Sequence, residues 1–233
     1  MLTAASNPVA LWYMSRGFGL VAFVLLTLSL AIGIAQITRV SLPGLPRFVI
    51  QGLHRNVSVL AVALLAVHIA SALLDPYVSI RVASVFIPFT GQYRPLWLGL
   101  GAVASDLLVA LVATSLVRER LGARAWKLIH WSAYACWPVA LVHGLGTGTD
   151  SRLGWVQLLY AVCLLCVLLA LASRLVTRWS TAPATRRVWA GLGAVGLVLA
   201  ISAWSAQGPL KAGWAKRAGT PASALGGHSG AHR

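Results

Sequence analysis

Long apolar runs, separated by short polar connections, fill most of the chain. The runs are continuous rather than alternating. Several reach about 20 residues, the length that carries a helix across about 30 Å of hydrocarbon. A closed barrel, the other fold that satisfies its backbone in lipid, needs alternating apolar and polar positions. The pattern predicts an all-α, polytopic membrane bundle of six transmembrane helices. These cover about Leu11–Ile37, Phe48–Leu74, Leu96–Val117, Trp126–Leu145, Gly154–Leu175 and Val188–Trp204.

Residues 1–10 are expected to form a short outer segment, and 11–206 a single membrane domain. No basic residue precedes the first run, which is too long for a signal core, so it reads as the first span. The connection Asp75–Pro95 is the longest; its middle, Val78–Phe89, is too short to span and predicts an interfacial cap. The segment 207–233 is rich in Gly, Ala and Ser with scattered basic residues, and predicts a disordered tail.

Composition supports this reading. The chain is 58% hydrophobic and only 10% charged, against about 25% charged in soluble domains. Its net charge of +15 does not point to nucleic acid, because no basic stripe with interleaved aromatics occurs. The basic residues gather instead in the odd-numbered connections. Arg39 and Arg47 lie in the first, with Arg55 just inside the next helix. Arg118, Arg120, Arg124 and Lys127 lie in the third, and Arg174, Arg178, Arg186 and Arg187 in the fifth. The second holds Arg81 and Arg94, the fourth only Arg152. The positive-inside bias then puts both termini outside a plasma membrane.

Two motifs carry no chemistry here. Cys163-x-x-Cys166 and Cys136 lie within spans, where small packing residues are the expected role. Gly191-x-Gly193-x-x-Gly196 lies in the sixth span without a strand ahead of it, so it reads as a helix-packing surface rather than a dinucleotide site.

Four histidines stand out because an imidazole in hydrocarbon is costly. His54 and His68 are 14 residues apart on the second span; His130 and His143 are 13 apart on the fourth. At about 1.5 Å per residue the pairs are separated by about 21 and about 20 Å. The second and fourth helices run parallel, so His54 is level with His130, and His68 with His143. Each level offers two imidazoles, enough for both axial positions of one haem iron. Two such ligands leave no open site, which favours electron transfer over oxygen binding.

The angular phase is uneven. A 14-residue step returns within about 40°, but a 13-residue step lands about 140° away. Pro138 lies between His130 and His143 and predicts local tightening there. Arg55 is placed for the propionates of the inner haem, and Arg16, Arg81 and Arg94 for those of the outer one. Ordinary interfacial arginines remain an equal reading. Trp131 and Trp137 are expected in core or interface packing. Asp106, mid-way along the third span, is a candidate to orient a histidine N–H or to relay a proton; a structural hydrogen bond is the plain alternative.

The stretches LHRNVSVLAVALLAVHIASALLDP, YRPLWLGLGA and KLIHWSAYACWPVALVHGLGTGTD, with their twin histidine spacings, resemble the ferric reductase-like transmembrane domain. That superfamily includes ferric reductases, the NADPH oxidases and the haem membrane subunit of the bacterial methionine sulfoxide reductase system. The resemblance covers about residues 15–174 and leaves the sixth span as an addition. It implies two b-type haems and transmembrane electron transfer, in the membrane subunit of an oxidoreductase. The chain departs from the oxidases and ferric reductases in lacking the flavin and nicotinamide domains that feed electrons. The donor is then a separate flavoprotein or a quinol, with any flavin on that partner, and the acceptor lies outside. Two other readings stand beside this one. A cytochrome of the b561 type would share the haems, whereas a haem-free proton-coupled transporter or assembly subunit would use the histidines and Asp106 as a relay.

Overall fold

The computed structural model describes residues 8–38, 46–76, 80–148, 150–177 and 183–221. All regular structure among them is helical. In chain order the helices are α1 (Pro8–Thr38), α2 (Arg47–Leu74), the short α3 (Ala83–Phe86), α4 (Pro95–Leu116), α5 (Arg118–Leu121), α6 (Ala123–His130), α7 (Ala133–Thr147), α8 (Gly154–Thr177), α9 (Ala184–Gln207) and α10 (Trp214–Arg217). The helices α1, α2, α4, α8 and α9 each contain a run long and apolar enough to span a membrane. The protein is a polytopic all-α membrane bundle.

Proline sets several boundaries. Pro95 occupies the first turn of α4, where its missing N–H costs nothing. Asp75, which ends α2, precedes Pro76 and adopts an extended conformation (φ −72°, ψ 114°), as the residue before proline prefers.

The fourth expected span, Trp126–Leu145, is not one uninterrupted helix. α6 and α7 meet in a tight turn at Trp131 and Ser132. There the N–H groups of Ser132, Tyr134 and Ala135 donate to the carbonyls three residues back, at 2.9, 3.1 and 2.9 Å. α7 has 15 residues and α6 only 8, with Arg124 and Lys127 exposed on it. Neither piece alone is long enough to cross. Among the described residues, five of the six expected spans are continuous helices and the fourth is the broken pair α6 and α7.

α1 packs against α2, α7 and α8, and α4 lies along α7. Phe23, Trp137, Leu141, Val156, Tyr160 and Val167 form the centre of the apolar core. Trp137 is 2% exposed and donates its indole N–H to the Thr27 hydroxyl (2.8 Å), so it serves packing, as expected. Cys136 and Cys163 are buried free thiols, and Cys166 is free and half-buried. The glycines of α9 differ from expectation. A Cβ at Gly191, Gly193 or Gly196 would meet nothing within 4 Å, so they pack against nothing among the described residues.

The loop after α2 folds over one end of the bundle, with α3 against α4. Composition assigns 207–233 to a disordered tail, yet residues 208–221 fold back over this same end. Trp214 lies 5.1 Å from Trp97 and 6.3 Å from Trp204, ring centre to ring centre. It donates its indole N–H to the Gly146 carbonyl (2.9 Å). One large aromatic ring supplies burial that the surrounding small residues lack. Residues 222–233, with His228 and His232, lie outside the described residues.

Arg94 fastens this cover. It is 1% exposed. Its backbone N–H donates to Gly219 O (3.1 Å), and its side chain to Thr220 Oγ1 (2.8 Å), Gly146 O (3.2 Å) and Thr147 O (2.8 Å). Hydrogen bonds from a charged donor are worth about 1.5–3 kcal/mol each, and an unpaired buried acceptor costs about as much. Arg94→Ala is therefore expected to destabilise the protein by about 3 kcal/mol and to open the tail. Limited trypsin digestion, read by mass spectrometry, should show faster cleavage after Lys211 and Lys216.

Candidate cofactor site

The four histidines occupy two depths of the bundle. At one, the rings of His54 and His130 face each other with centres 6.4 Å apart and planes at 71°. Imidazole nitrogen binds a metal at about 2.0 Å, and each ring centre lies about 1.1 Å further out, so two axial imidazoles place their centres about 6.3 Å apart. The observed separation is the one an iron held between these rings requires.

At the other depth, His68 and His143 line a common cavity of about 500 Å³. This is within the roughly 300–1,000 Å³ usual for small-molecule sites. Its walls are mostly apolar or small, among them Leu20, Ala61, Leu65, Ala102 and Leu108.

Three of the rings are anchored in the same way. His54 Nδ1 lies 3.0 Å from Ser29 O, His68 Nδ1 2.5 Å from Ser15 O, and His143 Nδ1 2.8 Å from Trp97 O. Each Nδ1–H thus donates to a main-chain carbonyl and leaves Nε2 as the nitrogen that could bind a metal. The carbonyls belong to α1 and α4, where each already accepts the N–H four residues on.

In every case that fourth residue is glycine. A Cβ at Gly33 would stand 3.3 Å from the His54 ring and one at Gly19 2.8 Å from the His68 ring, and one at Gly101 would overlap the His143 ring. Absence of the side chain lets the imidazole reach a helical carbonyl as a second donor. On α1 this produces Ser15-x-x-x-Gly19 and Ser29-x-x-x-Gly33, 14 residues apart, the spacing of His54 and His68. Neither repeat figured in the sequence reading, although its period was there to be seen.

The turn between α6 and α7 corrects the phase of the second pair. A 3₁₀ step turns about 120° rather than about 100°. Three such steps reduce the angle between His130 and His143 from about 140° to about 80°. The tightening occurs at 131–135, while Pro138 sits one turn later, inside the continuous α7.

The candidate cationic partners are dispersed. Arg16 lines the cavity but pairs with Asp150 at 2.7 Å and stacks on Trp12. Arg94 also lines it, with Nε and Nη1 already engaged by Thr220, Gly146 and Thr147. Burial pushes its guanidinium pKa down from the usual arginine range, though such a group stays charged. Arg81 is exposed and reaches Thr90 O at 3.5 Å. Arg55 is exposed, one residue from His54.

Asp106 is exposed on α4, about 100° round the helix from Ser105, which lines the cavity. Orientation of a histidine N–H, one of its two candidate roles, falls to carbonyls at His54, His68 and His143. Trp131 is 56% exposed and packs no core.

Among the described residues no three His, Cys, Asp or Glu side chains converge. A bare metal ion would lack ligands. A haem iron takes four nitrogens from its porphyrin and needs only two from protein. The glycine cradles, the carbonyl anchors and the 6.4 Å separation suit that group.

A family model described as ferric reductase like transmembrane component matches residues 18–143. The match runs from α1 to His143 and contains all four histidines. No curated protein and no solved structure matches the chain.

Proposed function

The chain belongs to the family of ferric reductase like transmembrane components, and we propose that it carries electrons across the bilayer through two b-type haems, each clasped by two imidazoles. Membership makes it a membrane electron-transfer component in general.

The observation that carries it is the 6.4 Å between the His54 and His130 rings, with a second histidine pair lining a cavity one haem spacing away. Bound haem supplies reversible one-electron chemistry at iron. The chain supplies the rest. Carbonyls hold Nδ1 of three of the rings and leave their Nε2 free to bind iron, and mostly apolar walls line the outer level. Arg55 is placed at one level, and Arg16 and Arg94 at the other, to meet propionates.

The end carrying Arg47, Arg118, Arg120, Arg124, Lys127 and Arg187 is the cytoplasmic one by the positive-inside bias. Both termini are then outside, and the His54/His130 level is the inner one in a plasma membrane. Electrons enter from a separate flavoprotein or a quinol and leave to an outer acceptor. Asp106 stays available as a proton relay.

The test is the reduced-minus-oxidised spectrum of purified protein with pyridine haemochrome quantification. A b-type α band and two haems per polypeptide are expected. A protein that binds no haem would return the relay-type transporter as the better account.

A further inference from the structure

We propose that the two iron levels are unequal and that His130 is the displaceable ligand, so that the His54/His130 level takes up a small neutral iron ligand such as carbon monoxide. The inference rests on the haem reading above.

His130 is the exception among the four rings. Its Nδ1 is buried and has no hydrogen-bond partner, whereas the other three donate to carbonyls. The reason lies in α4. Trp97 O and Gly101 hold His143. Thirteen residues separate His143 from His130, and on the antiparallel α4 the same step leads from Trp97 and Gly101 to Ala110 and Thr114. Thr114 has the Cβ that the glycines lack, and its hydroxyl donates to Ala110 O at 2.7 Å. The cradle is closed at that place.

What positions His130 instead is local. Its ring stacks on Trp126, 4.9 Å away at 26°. Trp126 lies one turn earlier in α6 and donates to Ser115 Oγ at 3.3 Å. α6 is a short helix between Gly122, at φ 76°, and the tight turn at 131–132. Ring and stacking partner sit on a segment joined to the bundle at two bends.

A partner on the far ring nitrogen raises the basicity of a ligating histidine, and losing it typically weakens metal binding about 10–100-fold. His130 therefore makes the weakest of the four bonds. On ferrous iron the exchange breaks the His130 Nε2–iron bond and forms an iron–carbon bond. The imidazole leaves neutral, and no electron is gained or lost.

The experiment records carbon monoxide difference spectra of the dithionite-reduced full chain in detergent, with haem counted by pyridine haemochrome. About half of the haem should bind carbon monoxide. In His143→Ala, and in His68→Ala as a second route should the first not fold, the remaining haem should bind it nearly fully. Thr114→Gly, which reopens the cradle, should lower carbon monoxide affinity at least about tenfold. Two haems with no carbon monoxide binding, binding by both equally, or binding lost together with the His68/His143 haem would each overturn the inference alone. A protein without haem would overturn the proposed function and this inference with it.

Discussion

His143→Ala is expected to halve the haem, from two per polypeptide to one, and to stop electron passage across the membrane. Pyridine haemochrome reads the first effect. Reduction of an impermeant acceptor outside vesicles loaded with reductant reads the second. His143 lines the same cavity as His68 and is anchored through Trp97 O. Alanine leaves iron with one protein ligand where two are needed for a low-spin, six-coordinate centre. The levels are about 20 Å apart along the membrane normal, so one haem alone would span only half the path. Haem content unchanged in this variant would remove the cavity from the electron route.

Gly101→Leu should have nearly the same effect without touching a ligand. Even a single Cβ there overlaps the His143 ring. A leucine forces the ring off the Trp97 carbonyl and turns Nε2 away from the site. Haem should again fall to about one per polypeptide. Gly193→Ala is the control. A Cβ there meets nothing within 4 Å, so haem stays at two, and stability is unchanged or gains up to about 1 kcal/mol from helix propensity. Equal haem content in the two variants would show that the cradle does not govern binding.

The fold class and the two histidine levels were legible in the sequence for physical reasons. Lipid forces continuous apolar runs, and a histidine in such a run needs a cause. The anchors were harder to see. A carbonyl belongs to every residue, so only the glycine four places on marks where one is used, and helices carry many glycines for other reasons. The bend at Trp131 and Ser132 had no proline or glycine to announce it, and Pro138 drew the expectation one turn downstream. The tail was misread because averaging composition over a long segment dilutes Trp214. Asp106 invites a part in orienting a histidine by its depth alone, whereas main-chain carbonyls hold three of the rings.

The paired Ser-x-x-x-Gly segments make α1 a ruler. It contributes no axial ligand, yet both rings of α2 are indexed against it. One residue inserted between Gly19 and Ser29 would turn one notch about 100° from the other while leaving every histidine in place. The spacing of the two histidine levels is thus gauged by a helix that carries none of the four histidines.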